Sequence, residues 1–125
     1  MIENSISEKV IGAAIEVHRI LGPGLLESVY EDALCHELFL RNIKFERQKR
    51  IPVPYKGIKL GNDLRLDLII ENALIVELKA KETVTGIDRM KVLTYLKISN
   101  KRLGLIINFH VCQLKNGIER IINSV

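Results

Sequence analysis

Residues 64–80 read Leu-Arg-Leu-Asp-Leu-Ile-Ile-Glu-Asn-Ala-Leu-Ile-Val-Glu-Leu-Lys-Ala, and this stretch decides the predicted fold. Leu64–Ile70 and Leu74–Ala80 are short, mostly branched apolar runs of the kind that form strands. The three residues between them, Glu71-Asn72-Ala73, fit the loop of a β-hairpin. Besides Arg65 near the start of the first run, three charged residues interrupt these apolar runs, and they are Asp67, Glu77 and Lys79.

The hairpin geometry predicts where these three charges lie. Side chains of a strand alternate between its faces, so Glu77 and Lys79 project on the same side. If the hairpin is centred on Asn72, Asp67 lies opposite Glu77 and the three charges form one cluster. A shift of the loop by one residue would place Asp67 on the other face.

Such a cluster inside an apolar hairpin requires compensation, because burying unpaired charge is costly. Two facing carboxylates repel unless a divalent cation neutralises them. Magnesium takes one or two carboxylates and leaves room for waters and phosphates. A lysine beside that ion would stabilise charge developing on a phosphate. The pattern therefore predicts a site for phosphodiester hydrolysis, and on three residues alone a buried salt-bridge cluster remains an equal alternative.

Helical periodicity appears in three other segments of the chain. Apolar spacing predicts a helix over residues 6–20, preceded by Ser5-Ile-Ser-Glu8, which has the spacing of a capping box. Gly22-Pro23-Gly24 ends that helix. A second helix is predicted from about Leu26 to Leu40 and a third from about Thr85 to Ile98.

The remaining segments favour strands. Phe45 to Tyr55 contains Pro52 and Pro54, which cannot donate to a ladder, so this is an edge or irregular strand, with a short continuation at Ile58–Leu60. Leu103–Phe109 is apolar throughout except for Asn108, as a strand buried on both faces would be.

The end of the chain reads as a closing hairpin of Val111–Leu114 and Ile118–Ile122, although the second segment also fits a short helix. The order of elements predicts a single α/β domain over residues 1–125, with one mixed β-sheet flanked by helices.

Charge is unevenly distributed along the chain. The formal net charge is +4, from 19 Lys and Arg against 15 Asp and Glu. Between residues 41 and 65 only Glu46 and Asp63 oppose eight basic residues, which are Arg41, Lys44, Arg47, Lys49, Arg50, Lys56, Lys59 and Arg65. This stretch fits either a nucleic-acid-binding surface or a sheet edge protected by charge.

Several classes of protein are disfavoured by composition. No apolar run reaches the length of a membrane span, and the first residues do not resemble a secretory signal, so we expect a cytoplasmic protein without membrane contact. Cys35 and Cys112 lie far apart without a zinc-ligand spacing, which indicates buried or incidental thiols.

Two motifs together carry a resemblance to a known family. Asp67 followed by Glu77-Leu78-Lys79 resembles the D…ExK signature of the PD-(D/E)XK nuclease superfamily. Upstream, Gly24-Leu-Leu-Glu-Ser-Val-Tyr30 resembles the GxxExxY motif, which names a small family within that superfamily. Further similarity extends from Ile11 to Phe109 and so spans most of the chain.

The resemblance implies a restriction-endonuclease-like core and a nuclease that depends on Mg²⁺ or Mn²⁺ and acts on DNA or RNA. Glu27, Asp67 and Glu77 would bind the metal, and Lys79 would be the catalytic lysine. Lys91 stands where many members have a glutamine, and it would either contact phosphate or place its own charge in the metal site. A nucleic-acid-binding or scaffold module without turnover is therefore the alternative function. Small members that cut DNA junctions are dimers, so a homodimer is a further expectation.

Overall fold

In the computed structural model, which describes residues 1–124, the chain folds as a central β-sheet flanked by helices. The described elements are α1 (Ile2–Leu21), α2 (Glu27–Leu40), β1 (Phe45–Ile51), β2 (Pro54–Tyr55), β3 (Ile58–Lys59), β4 (Leu64–Ile70), β5 (Leu74–Lys79), α3 (Gly86–Ser99), β6 (Leu103–Asn108), a 3-10 turn (Leu114–Gly117) and β7 (Ile118–Ile122). This arrangement confirms the predicted α/β class with a single mixed central sheet. None of the described helices combines the length and the apolar character needed to cross a membrane.

The main sheet has five strands in the order β1-β4-β5-β6-β7. Only the β5–β6 pair is parallel, and α3 forms the crossover between those two strands. β1 is an edge strand, as its flanking prolines predicted, while Pro54 and Tyr55 belong to a separate two-stranded arm with β3.

The register of the β4–β5 hairpin confirms that it is centred on Asn72. Its three backbone pairs are Leu68↔Val76, Ile69↔Ile75 and Ile70↔Leu74. Asn72 itself and Glu71 adopt the left-handed conformation, both with φ of 52°. Positive φ at consecutive residues matches the twist of a tight hairpin, which fixes the register locally.

The two faces of the sheet pack against different helices. On one face, Leu68, Val76 and Leu78 join a core with α1 and α2. On the other face, Ile69 and Ile75 pack with Val92 and Leu96 of α3. Strand alternation therefore places Glu77 and Lys79 on the face of β5 that carries Ile75 and meets α3.

The first helix begins earlier than the sequence predicted. It starts at Ile2, and Ser5 and Glu8 do not form the predicted capping box, since the N-cap position is Met1. Contacts from the distant end of the chain explain the additional turn. Arg120 donates to Asn4 and to Ser7 Oγ, and Arg102 lies 3.6 Å from Glu3, so tertiary contacts support this turn.

The predicted closing hairpin was also wrong in its first half. Val111–Leu114 does not form a strand, and β7 pairs with β6 in an antiparallel register instead. The carbonyl oxygen of Val111 faces Nε2 of buried His18 on α1 at 2.8 Å. The contact connects the backbone of Val111 to α1 instead of to a neighbouring strand. His18 therefore has a packing role.

Candidate active site

Backbone pairing between β4 and β5 stops at Leu68↔Val76, immediately before Asp67 and Glu77. The two carboxylates take over the hydrogen bonds there. The backbone N–H of Leu78 donates to Asp67 Oδ2 at 2.9 Å, and that of Asp67 donates to Glu77 Oε1 at 3.3 Å. The strands therefore separate at the point where both acids lie, and the predicted meeting of Asp67 with Glu77 is observed. We call these two residues with Glu27 the carboxylate site.

The ladder on the other side of β4 is interrupted at the same level. β1 and β4 pair at Arg47↔Leu68 and at Lys49↔Leu66, but Gln48 and Asp67 between them do not pair. Gln48 has a φ of 51°, which is uncommon for a residue other than glycine. This conformation turns the backbone of β1 away from β4 beside Asp67, and it leaves Asp67 free of a regular strand neighbour on either side.

Side chains from β1 hold α2 at this break. Arg47 Nη2 donates to Glu31 Oε2 and to Asp32 Oδ1, each at 2.7 Å, and Gln48 Nε2 donates to Glu31 Oε1 at 2.8 Å. We call Glu31, Arg47 and Gln48 the α2–β1 clamp. Glu31 lies one helical turn after Glu27, so the clamp fixes the first turn of α2 relative to Asp67.

Glu27 itself is exposed at the start of α2. Burial raises the pKa of Glu27 and the charge of Asp67 raises it further, so Glu27 lies within electrostatic reach of Asp67. Tyr30 of the same motif makes its side-chain hydrogen bonds with the loop before α2. Its hydroxyl donates to the carbonyl of Gly22 at 2.5 Å and accepts from the N–H of Leu25 at 3.1 Å. Tyr30 is fully buried and stacks on Phe109 at 4.4 Å, so it packs and secures the loop before Glu27.

Lys79 lies on the same face of β5 as Glu77, as predicted, but it also has an anionic neighbour on α3. Its Nζ is 4.0 Å from Asp88 Oδ1, and Asp88 pairs more closely with Lys81 at 2.5 Å. Asp88 is the acid of a capping box with Thr85 at the start of α3. These partners lower the pKa of Asp88, with Lys81 as the largest cause, so its carboxylate is a stable anchor for both lysines.

Lys91 lies on α3, with Nζ 5.4 Å from the centre of the Tyr95 ring. Partial burial would lower the pKa of Lys91, but Tyr95, Glu77 and Asp67 together raise it. Lys91 is therefore a permanent positive charge within electrostatic reach of the two central acids, whose pKa values it lowers in turn.

The surroundings of the site disfavour the ionised form of its three acids. Burial, followed by the charge of Asp67, raises the pKa of Glu77 to about 7. Burial also raises the pKa of Asp67, and desolvation followed by the charge of Asp67 raises that of Glu27. Glu77 is only 3% exposed, so its charged form is not stabilised by contact with solvent.

The donor set fits a hard divalent cation. Each of Asp67 and Glu77 uses one oxygen for a backbone hydrogen bond, and the other oxygen has no protein donor among residues 1–124. Within those residues, no three His, Cys, Asp or Glu side chains already converge as a metal-binding set. Magnesium nevertheless needs only one or two carboxylates together with waters, which Asp67 and Glu77 supply. Ligation by Glu27, which is exposed, stays a prediction.

Fold and site define a class of protein: an α/β domain with a carboxylate pair and a lysine where its central hairpin separates. The sequence profile of the PD-(D/E)XK nuclease superfamily matches residues 4–121, so the chain belongs to that superfamily. The superfamily indicates nuclease activity on nucleic acid and, in general, use of divalent metals. No curated protein and no solved structure matches the chain.

Sequence reasoning missed the residues that surround the site. The α2–β1 clamp joins residues about 16 positions apart, and Asp88 belongs to a helix cap that the motif does not include. A signal for Asp88 was present, because Thr85-x-x-Asp88 has capping-box spacing. No comparable local signal marks Glu31.

Proposed function

We propose that this protein is a nuclease of the GxxExxY group that hydrolyses phosphodiester bonds in DNA or RNA with Mg²⁺ or Mn²⁺. The proposal rests on one observation above all, which is the meeting of Asp67 and Glu77 where β4 and β5 separate. A buried acid pair with raised pKa values is unfavourable by itself and becomes favourable when a cation is bound.

In this proposal Asp67 and Glu77 bind the metal through their free oxygens, and Glu27 adds a third carboxylate from α2. The bound ion would polarise the scissile phosphate and lower the pKa of a water. Lys79 places its ammonium beside that phosphate and stabilises the negative charge that develops on it. Asp88, 4.0 Å from Lys79, holds the ammonium near the site without neutralising it by a close contact.

Cleavage assays test the proposal directly. We expect the wild-type chain to cut single-stranded, duplex or branched substrates with Mg²⁺ or Mn²⁺, and Asp67→Asn and Lys79→Ala to lose at least about 100-fold in rate, as loss of one charge-stabilising group does. Lys9→Ala is the matched control, because Lys9 is exposed on α1 beside Glu71 and Ala73, at the opposite end of β4 and β5 from Asp67 and Glu77. Equal activity of wild type and Lys79→Ala on every substrate would refute the catalytic proposal.

A second candidate function is a nucleic-acid-binding or scaffold module without turnover. The charge of Lys91 near Glu77 and Asp67 favours it, because a permanent cation there competes with a metal. Isothermal titration with Mg²⁺ and Mn²⁺ separates the two functions. Metal binding that Asp67→Asn abolishes supports the nuclease, and the absence of metal binding supports the module.

We also propose that the active form is a homodimer. Apolar residues beside Glu27 are accessible, with Leu26 74% exposed and Leu25 40% exposed. Exposed apolar groups next to a site are typical of surfaces that bind another molecule. Light scattering at assay concentration is the test, and a monomeric mass for an active sample would contradict it.

A further inference from the structure

The face of the sheet that carries α3 is covered unevenly. α3 packs on β6 and β7, on one side of that face. On the other side, residues 52–60 form an arm that contains β2 and β3 and is closed by a hydrogen bond from Leu60 N to Val53 O. A groove of about 700 Å³ lies between this arm, β1 and the C-terminal end of α3.

The groove combines apolar side chains with positive charge. Ile51, Ile69 and Ile98 line it together with Pro52 and Pro54. It is also lined by three basic residues, which are Lys49, Lys59 and Lys101. No described residue that lines the groove is acidic.

Two of these lysines are available for a ligand. Lys49 lies 3.3 Å from Glu46, whereas Lys59 and Lys101 form no ion pair with any residue in the range 1–124. The arm contributes Ile58, which is 61% exposed, to the groove, and it carries Tyr55, which is 57% exposed, next to Ile58 in the β2–β3 pair. Exposed apolar and aromatic groups beside free lysines suit a ligand that carries both negative charges and planar rings.

The groove lies on the same face of the sheet as the carboxylate site. Ile69, in the groove, pairs with Ile75. Glu77 follows Ile75 by two residues on the same face of β5, a distance of about 7 Å along the strand. A chain that lies in the groove and continues along this face of the sheet would reach the proposed metal.

We propose that this groove binds a single strand of nucleic acid and delivers it to the carboxylate site, an inference that rests on the proposed nuclease function. The lysines bind phosphates, and the isoleucine, proline and tyrosine side chains pack against bases. Bases expose their faces in a single strand, whereas a duplex hides them in its stack and presents mainly phosphates. The mixed apolar and basic lining therefore favours unpaired substrate.

Fluorescence anisotropy in EDTA measures this binding without cleavage. The probes are a labelled 12-nucleotide single strand, as DNA and as RNA, and a duplex of the same length. We compare the wild-type chain with the double variant Lys59→Gln/Lys101→Gln. Lys9→Gln/Lys115→Gln is the matched control, because it removes the same charge at two exposed lysines outside the groove.

We expect the groove variant to bind the single strand at least about tenfold more weakly than wild type. Each phosphate contact contributes a slope of about −0.7 to log K against log salt, so loss of two contacts reduces the slope by about 1.4. Ile58→Ser should weaken single-strand binding without changing the salt slope, since it removes an apolar contact. The control variant should stay within about twofold of wild type.

Three results would overturn the inference: equal weakening in the two double variants, no weakening in the groove variant, or equally tight binding of the duplex. Competition by polyglutamate as effective as by the oligonucleotide would also overturn it in favour of an acidic protein partner. Failure of the nuclease proposal is distinguishable. If the protein binds the single strand through Lys59 and Lys101 but never cleaves it, the groove inference holds and the nuclease proposal fails.

Discussion

At the scale of single residues, the burial of Glu77 is unfavourable for folding but suits the binding of a cation. It is almost completely buried beside Asp67, and its pKa is raised to about 7 from an ordinary 4.5. A carboxyl group in that environment favours its neutral form. In the metal-free protein this carboxyl therefore ionises only at a cost in free energy, which a bound cation would offset.

This environment predicts a pH dependence of stability. Between about pH 4.5 and pH 7 the folded state binds more protons at Glu77 than the unfolded state does, so the free energy of unfolding falls as pH rises through this window. The contribution of Glu77 is up to roughly 3 kcal/mol. Urea unfolding in EDTA at pH 4.5 and pH 8 measures it.

Glu77→Gln should remove most of this pH dependence and stabilise the metal-free protein at pH 8. Glu46→Gln, at an exposed position of β1, is the control and should keep the wild-type profile. A wild-type profile that rises or stays flat between pH 4.5 and pH 7 would contradict the expected burial of charge.

Lys91 gives a second prediction at this scale. Replacing Lys91 with glutamine removes a positive charge within reach of Glu77 and Asp67 and should tighten Mn²⁺ binding several-fold. Isothermal titration measures the change, with Lys97→Gln on the same helix as the control. Weaker binding by Lys91→Gln would instead indicate that Lys91 supports the site.

At the scale of secondary-structure elements, the site depends on how α2 lies against β1. Glu27 belongs to the first turn of α2, and Glu31, one turn later, is bound to both Arg47 and Gln48. Residues that orient metal ligands through hydrogen bonds typically change metal affinity 10- to 100-fold when substituted. We expect the clamp to have this kind of positioning role.

We therefore expect both Glu31→Gln and Arg47→Met to weaken Mn²⁺ binding by about tenfold. The two substitutions change the charge in opposite directions, so a shared loss points to positioning rather than to net charge. Glu37→Gln breaks the exposed Glu37–Arg41 pair of the same helix and should leave affinity unchanged. If one clamp variant weakened Mn²⁺ binding and the other tightened it, the clamp would act through its charge and not by positioning Glu27.

At the scale of the whole molecule, the site is assembled from three layers, which are α2, the sheet and α3. The position of the third layer depends on Gly104 of β6. A Cβ atom at that residue would lie 2.8 Å from Val92 Cγ1, which is closer than side chains normally approach. Glycine at this point lets α3 dock closely enough to bring Asp88 and Lys91 to the ends of β4 and β5.

Gly104→Ala should consequently destabilise the fold by about 1–3 kcal/mol, the usual cost of overpacking. Val92→Ala removes the conflicting methyl groups, so the double variant should be more stable than the sum of the two single changes predicts. Chemical denaturation of the four proteins gives the coupling. Strict additivity would show that Val92 does not limit the approach of α3.

The sequence alone determined the central hairpin and the identity of its acids. Strand periodicity and the loop Glu71-Asn72-Ala73 predicted the hairpin and left its register open by one residue. The observed register, centred on Asn72, brings Asp67 and Glu77 to the same level. These features follow from local rules of pleat and turn, which need no information from elsewhere in the chain. The superfamily was likewise readable from the spacing of the two motifs.

Only the tertiary structure decided how this hairpin becomes a site. The separation of the strands at Asp67, the contact of Glu31 with Arg47 and the anchoring of Lys79 by Asp88 all join segments that are distant in sequence or belong to different layers. The extra turn of α1 and the pairing of β7 with β6 arise in the same way. Such contacts depend on how helices pack on the two faces of the sheet, and periodicity does not encode that packing.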